Sequence, residues 1–285
     1  DFAESEAETM NDLIFIETVG SFMQITLEKI RLYEEKQEQD RIQNELDVAA
    51  RIQQESLPSD FDLMDELDIY GRCIAHSKVA GDFFDIVILS EEEIFICIAD
   101  AAGKGIAAAM LVANLQANLR ALIETDAGFY LYIHRLHQVI ARLTRNEKFV
   151  TLFLAKINIA KQEIEYVNAG HNPPFLLRAN GEVQELTKGC IPLGILPIET
   201  YEVGFCDFGP GDLLFTYSDG VVEQENATGE LMGSERVLEI LQGHLPEHST
   251  FEIIAQVLNA LKIHSGGVPN SDDVSILAVR FKSQG

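Results

Sequence analysis

Apolar and polar positions fall into two regimes that meet at Pro58. Before it, residues 13 to 57 contain no proline and one glycine, Gly20. Apolar residues recur three to four apart at Ile16, Val19, Met23, Leu27 and Ile30, then again at Ile42, Leu46, Ala49 and Ile52. That spacing predicts one long helix. Between the two runs, Glu34-Glu-Lys-Gln-Glu-Gln-Asp-Arg41 is almost wholly polar. The runs do not share an unbroken heptad, so the apolar seam is expected to change register there. A helix with one narrow stripe cannot bury it alone. Two readings meet that need: a parallel homodimeric coiled coil through residues 13–57, which is preferred, or a solvated helix packed on its own domain.

After Pro58 the pattern turns to short runs rich in β-branched and aromatic residues. Strands are predicted over Leu67–Ser77, Phe83–Leu89 and Ile94–Asp100, the last two as a hairpin across Ser90-Glu-Glu-Glu93. Helices follow over Ile106–Ile123 and Tyr130–Arg145. Strands come next over Val150–Ile159, Glu163–Ala169 and Phe175–Arg178, with a turn at Ala179-Asn-Gly-Glu182 leading into another short strand. The chain closes with a strand over Leu213–Ser218, helices over Ser234–Leu241 and Phe251–Ile263, and a strand over Val274–Phe281. Strand runs broken by helix pairs predict an α+β domain over residues 58–285, two sheets packed together with helices outside. Residues 1–57 read as the linker helix of an upstream sensor domain.

Composition narrows the function classes. A formal charge of −25 in 285 residues argues against nucleic-acid or anionic-membrane binding, which needs Lys and Arg clusters. It suits solubility, and equally a protein that holds divalent cations. Four cysteines, Cys73, Cys97, Cys190 and Cys206, lie far apart without a C-x-x-C, as expected of reduced thiols in the cytoplasm. There is no signal-peptide pattern and no uninterrupted apolar run of about 18 residues. The chain has no initiator Met and is expected to be a piece of a longer one, whose upstream part could carry a membrane anchor.

The candidate chemistry lies in four acidic motifs at strand boundaries. In Ile98-Ala-Asp-Ala-Ala-Gly-Lys-Gly105 an apolar run stops at Asp100 and turns into a helix. Taken singly, such an Asp is more often a turn-former or helix cap than a ligand. Leu213-Leu-Phe-Thr-Tyr-Ser-Asp-Gly220 repeats the same grammar, with Asp219 at the strand end and Gly220 read as the residue of a tight turn. Gly81-Asp-Phe-Phe-Asp85 offers Asp82 and Asp85, which point to opposite sides of a strand; Asp82 is preferred as a ligand and Asp85 is a supporting candidate. Asp272 and Asp273 precede the closing strand. Converging carboxylates repel one another unless a cation neutralises them. Mg²⁺ or Mn²⁺ fits this donor set; zinc does not, for want of His and Cys spacing.

Taken together, Glu45-Leu-Asp-Val-Ala-Ala-Arg-Ile-Gln-Gln-Glu-Ser-Leu-Pro58, Gly81-Asp-Phe-Phe-Asp85, Ile98–Gly105, Asn168-Ala-Gly-His-Asn-Pro173, Tyr217-Ser-Asp-Gly220 and Asp272-Asp-Val-Ser275 resemble the RsbU/SpoIIE-type serine phosphatases of bacterial partner-switching pathways. These are part of the metal-dependent PP2C (PPM) superfamily, and the resemblance runs over about residues 45–282. It implies a PP2C-like α-β-β-α sandwich of two antiparallel sheets flanked by helices, preceded by a long signalling helix. It also implies two divalent cations, Mn²⁺ or Mg²⁺. By motif, Asp82 would bridge them, Asp100 and the Ala101 carbonyl would hold one, and Asp219 and Asp272 the other; Asp85 and Asp273 are secondary candidates. The implied substrate is a phosphoserine or phosphothreonine protein of the anti-anti-sigma (STAS) type, in the cytoplasm, with no nucleic acid and no direct membrane contact. No arginine corresponds to the phosphate-binding one of eukaryotic relatives. His171 reads as a turn-shaping residue rather than a general acid, and Lys104 as a solvated turn lysine. The competing reading is a PPM relative of weak or no activity that binds a phosphoprotein as a regulator. A sensor-kinase fragment is disfavoured because no His precedes His76, and a two-metal nucleotidyl cyclase because no glycine loop cradles phosphate.

Overall fold

The computed structural model describes residues 2–125, 128–196, 200–243 and 248–283, with side chains described from residue 15 onward. It divides into two compact units, Asp1–Ala49 and Ala50–Gly285. The first is helical throughout, part of helix α1 (Phe2–Ser56). This helix starts well before the predicted residue 13. The opening residues lack apolar periodicity, but they are rich in Ala and Glu and contain no breaker, so propensity alone carries the helix through them. Ile16, Val19, Met23, Leu27 and Ile30 are all exposed, and Phe15, Phe22 and Tyr33 widen the apolar surface beyond one narrow stripe.

The second unit is a four-layer sandwich. One sheet has the order β1 (Leu67–Ile74), β11 (Val274–Phe281), β10 (Leu213–Tyr217), β6 (Phe175–Leu177), β7 (Val183–Glu185), antiparallel throughout. The other has β2 (Asp82–Ile88), β3 (Glu93–Ala101), β4 (Val150–Asn158), β5 (Glu163–Ala169) and β8 (Gly189–Cys190), with β9 (Gly204–Asp207) also paired to β5. Here the expectation of a purely antiparallel sheet needs correction, because β8 runs parallel to β5. Gly189 makes that possible: a Cβ there would meet the Asn168 carbonyl oxygen at 1.9 Å. The short β8 and β9 and the one-turn helix α4 (Asp219–Val222) were not anticipated.

Period-two alternation sorts the side chains into layers. Phe84, Ile86, Ile94, Ile96, Ile98, Phe153 and Ala155 face Leu67, Ile69, Leu214, Leu277 and Val279 across the gap between the sheets. The alternate positions Phe83, Phe95, Cys97, Leu152 and Leu154 face helices α2 (Ile106–Ile123) and α3 (Gly128–Thr144). On the far side Phe215, Tyr217, Ile276 and Ala278 pack against α5 (Ser234–Gln242) and α6 (Thr250–Ser265). By length and apolarity α2 would pass for a membrane span, with mean hydropathy 1.5. Its Ala108, Leu111, Val112, Leu115 and Leu119 are instead buried in the sandwich, and an ion pair ties it down. Arg120 donates from Nε and Nη2 to the two carboxylate oxygens of Asp85, each at 2.7 Å.

Candidate metal centre

At one end of the sandwich the inward-facing positions change from apolar to polar. On β2 and β3 the inward series Ile86, Phe84 and Ile94, Ile96, Ile98 ends at Asp82 and Asp100, which are directly paired across the strands. Asp100 is paired in turn with Thr151 on β4. On the facing sheet the inward series reaches Thr216 and Ser218 beyond Leu214, and Ser275 beyond Leu277. The Ser275 N–H donates to Ser218 Oγ at 2.9 Å, and the Ser218 N–H to the Ser275 carbonyl at 2.9 Å. This serine pair fixes Asp219, the next residue after Ser218, beside Asp272 and Asp273. Gly220 has a different reason from the tight turn expected of it. A Cβ at 220 would come within 2.0 Å of the Asp273 carbonyl oxygen, so closeness of two backbones demands glycine there.

Asp82, Asp100, Asp219 and Asp272 thus come to one end from both sheets, and Asp100 feels the charges of Asp219 and Asp272. Ala101 ends β3, and its carbonyl oxygen lies 3.5 Å from where a Cβ on Gly81 would stand. Asp85 does not join them: it points toward α2, where Arg120 and Gln116 hold it. Asp273 is buried at the site but committed to backbone. Its Oδ1 accepts from the His76 N–H at 2.6 Å and its Oδ2 from the Gly81 N–H at 2.5 Å. Lys104 is exposed, as expected of a turn lysine, but it is not without partners: its Nζ lies 3.0 Å from Asp272 Oδ2 and donates to the Ser271 carbonyl.

The segment 76–81, which delivers Asp82, is held from three sides. Asp273 takes one. The Ala101 N–H donates to the Gly81 carbonyl at 3.1 Å. Gln53 takes the third with a two-way amide pair: its Nε2 donates to the Ala80 carbonyl at 2.7 Å, and its Oε1 accepts from the Ala80 N–H at 2.8 Å. The motif Glu45–Pro58 contains Gln53 but did not reveal this clamp, because its partner is a backbone 27 residues further along the chain. His171 is buried next to the site, its N–H donating to Asn168 Oδ1 at 2.7 Å and its Nδ1 lying 2.9 Å from Thr151 Oγ1. Burial pushes its pKa down to about 4, so at neutral pH the ring is uncharged and acts as a packed turn element.

Residues 90–282 match the family model of Stage II sporulation protein E (SpoIIE). The chain belongs to the SpoIIE family. Among curated SpoIIE-like relatives, it is 28% identical over 248 residues to phosphoserine phosphatase RsbU of Bacillus subtilis, covering 86% of this chain and 72% of RsbU. It is 28% identical to protein IcfG of Synechocystis, covering 82% of this chain and 41% of IcfG. The chain therefore spans well under half of IcfG and most of RsbU. In fold, this SpoIIE-family chain superposes on the SiaA-PP2C domain of Pseudomonas aeruginosa with a TM-score of 0.76 at 22% identity, over 86% of this chain and 98% of that one. The PP2C phosphatase domain of SpoIIE from Bacillus subtilis gives 0.66 at 20% identity, over 76% and 64%.

The donor set of this SpoIIE-family site fits hard divalent cations. Asp82 Oδ2 is buried without a hydrogen-bond partner, and so is Ser275 Oγ. Burial, then the neighbouring charge of Asp100, pushes the Asp82 pKa well above the usual carboxylate range. Burial and the Asp219 charge bring Asp100 to about 7; burial and the Asp272 charge bring Asp219 to about 6. Oxygen donors that resist ionisation side by side are what a cation neutralises. Among the described residues no three acidic, His or Cys side chains stand in ready ligand geometry.

Raised carboxyl pKa values mean that the folded chain keeps protons which the unfolded chain has released above about 4. Rising pH therefore favours unfolding across the window from about 4 to about 7. In chelator, the melting temperature of the protein is expected to fall as pH rises from 5 to 7.5, and added Mn²⁺ to restore it at the upper pH. A metal-free melting temperature that rises over this window would contradict the burial of these acids.

Proposed function

We propose that the chain is a Mn²⁺- or Mg²⁺-dependent protein phosphatase that releases phosphate from phosphoserine or phosphothreonine of a regulatory protein. The observation that carries this is the meeting of Asp82, Asp100, Asp219 and Asp272 from two sheets at a polar end of an apolar sandwich. RsbU, and RsbP at 25% identity, are both named phosphoserine phosphatases, which supports the same class of substrate. Asp82, Asp100, the Ala101 carbonyl, Asp219 and Asp272 are the groups that would hold the cations. Such cations supply Lewis acidity and acidify water near neutral pH, so no protein nucleophile is required. The protein's own part is to gather the acids, to keep the Asp82 segment rigid through Asp273 and Gln53, and to exclude a cationic His171 from the site. The substrate in this reading is a small phosphoprotein of the anti-anti-sigma type. Four free thiols accord with a cytoplasmic setting.

Residues 13–57 form the control element of this reading, a linker helix that pairs with a second copy of itself. Exposure of Ile16, Met23, Leu27, Ile30 and Ile42 supports it, since isolated helices do not leave such residues in water without a partner. The last turns of α1, residues 50–56, are part of the catalytic unit. Through Gln53 they touch the segment that delivers Asp82.

Asp219→Asn is expected to leave the fold intact and to abolish Mn²⁺-dependent release of phosphate from a phosphoserine protein; turnover at the wild-type level would remove Asp219 from the centre. Gln53→Ala removes two hydrogen bonds from the Ala80 backbone, about 1 kcal/mol each. Apparent Mn²⁺ affinity, read by electron paramagnetic resonance of the free ion, should weaken roughly tenfold. An unchanged affinity would sever the proposed link between the helix and the centre.

A further inference from the structure

The polar end of the sandwich carries more negative charge than a phosphoryl group can readily approach, and two lysines stand at its rim. Lys104 rises from the turn Gly103-Lys104-Gly105 and lies against Asp272 and the Ser271 carbonyl. Lys148 arrives from the opposite side, in the loop between α3 and β4. A Cβ built on Gly103 would lie 2.9 Å from Lys148 Nζ, so this ammonium rests on the backbone of the same turn. Among the described residues Lys148 has no ion-pair partner.

The two segments are built as one piece. Ala102 N–H donates to the Phe149 carbonyl at 2.9 Å. Gly103 adopts φ of 105°, open only to glycine at low cost. Arg145 and Asn146 both adopt left-handed φ, 54° and 60°, an uncommon conformation that tends to gather at functional sites. Here it turns the chain sharply after α3 and sends Lys148 back toward Gly103.

Charge gives the pair a use. Were Asp82, Asp100, Asp219, Asp272 and Asp273 all ionised, two divalent cations would leave one negative charge over; the two ammonium groups turn that deficit into a positive surplus. We propose that Lys104 and Lys148 are substrate-binding residues that grip the phosphoryl oxygens of the substrate from either side of Gly103. This rests on the phosphatase reading above. Lys104 has two stations: on Asp272 when no cation claims that carboxylate, and on phosphate when one does. A flexible lysine stem suits such a move better than a planar guanidinium fork.

The test uses the whole chain, with p-nitrophenyl phosphate and inorganic phosphate as probes. Lys148→Gln is expected to raise KM and the inhibition constant of phosphate by about tenfold, with a smaller fall in kcat; Lys148→Arg, which keeps the charge, should recover most of it. Lys104→Gln should do the same to phosphate and also tighten Mn²⁺ binding severalfold in the absence of substrate, because Asp272 no longer has an internal cation. Calorimetric titration of the Mn²⁺-loaded variants with inorganic phosphate reads the grip without turnover. If the wild type turns over and binds phosphate while both glutamine variants stay within twofold of it, the lysine grip is wrong and the phosphatase reading stands. If the wild type shows no Mn²⁺-dependent turnover, the phosphatase reading fails, and phosphate binding that ignores both lysines would overturn the grip as well.

Discussion

Like charges gathered where water is scarce are the constraint from which the rest of this structure follows. The sandwich interior is apolar along most of its length, and at one end inward positions become Asp82, Asp100, Thr151, Thr216, Ser218 and Ser275. Carboxylates so placed either take up protons, find internal partners or bind cations. The protein uses the first two in the metal-free state. Asp82, Asp100 and Asp219 have raised pKa values, Asp273 is satisfied by two backbone N–H groups, and Asp272 leans on Lys104. The third outcome is the one on which the proposed function rests.

That arrangement makes the backbone around 76–81 decisive. Asp82 lies at the start of β2, paired with Asp100 across the strands. Asp273 from the facing sheet, Ala101 from the next strand and Gln53 from the end of α1 each bind this segment by backbone contacts. A ligand positioned by three separate elements is rigid while all three are seated, and it is also sensitive to any of them. A rotation of the α1 end would be felt at Asp82 through one side-chain amide. On the other face, Asp85, three residues along the same strand, anchors α2 through Arg120. The two acids of one short motif therefore do opposite work, one at the cleft and one in the helix layer, as strand alternation requires.

Much of this was legible in the residues. Runs bounded by Gly or Asp fixed α2 at Ile106–Ile123 and β11 at Val274–Phe281, because the burial pattern there changes abruptly. The acids showed themselves through a repeated local grammar, an apolar strand ending in Asp, at residues 100 and 219. What could not be read depended on neighbours distant in sequence. The short β8 and β9 exist only by pairing with β5. Gly220 is glycine because of a backbone fifty residues away, and the division of labour between Asp272 and Asp273 is set by where His76 and Gly81 present their N–H groups. Gln53 stands in a motif that gave it no role and Lys148 in none at all, and only the fold gives each its place.

Anomalous diffraction at the manganese edge, from crystals grown with Mn²⁺, tests the central claim most directly. The account predicts anomalous density enclosed by Asp82, Asp100, Asp219 and Asp272, with Asp85 still on Arg120. Manganese bound elsewhere while these four carboxylates remain apart would contradict it.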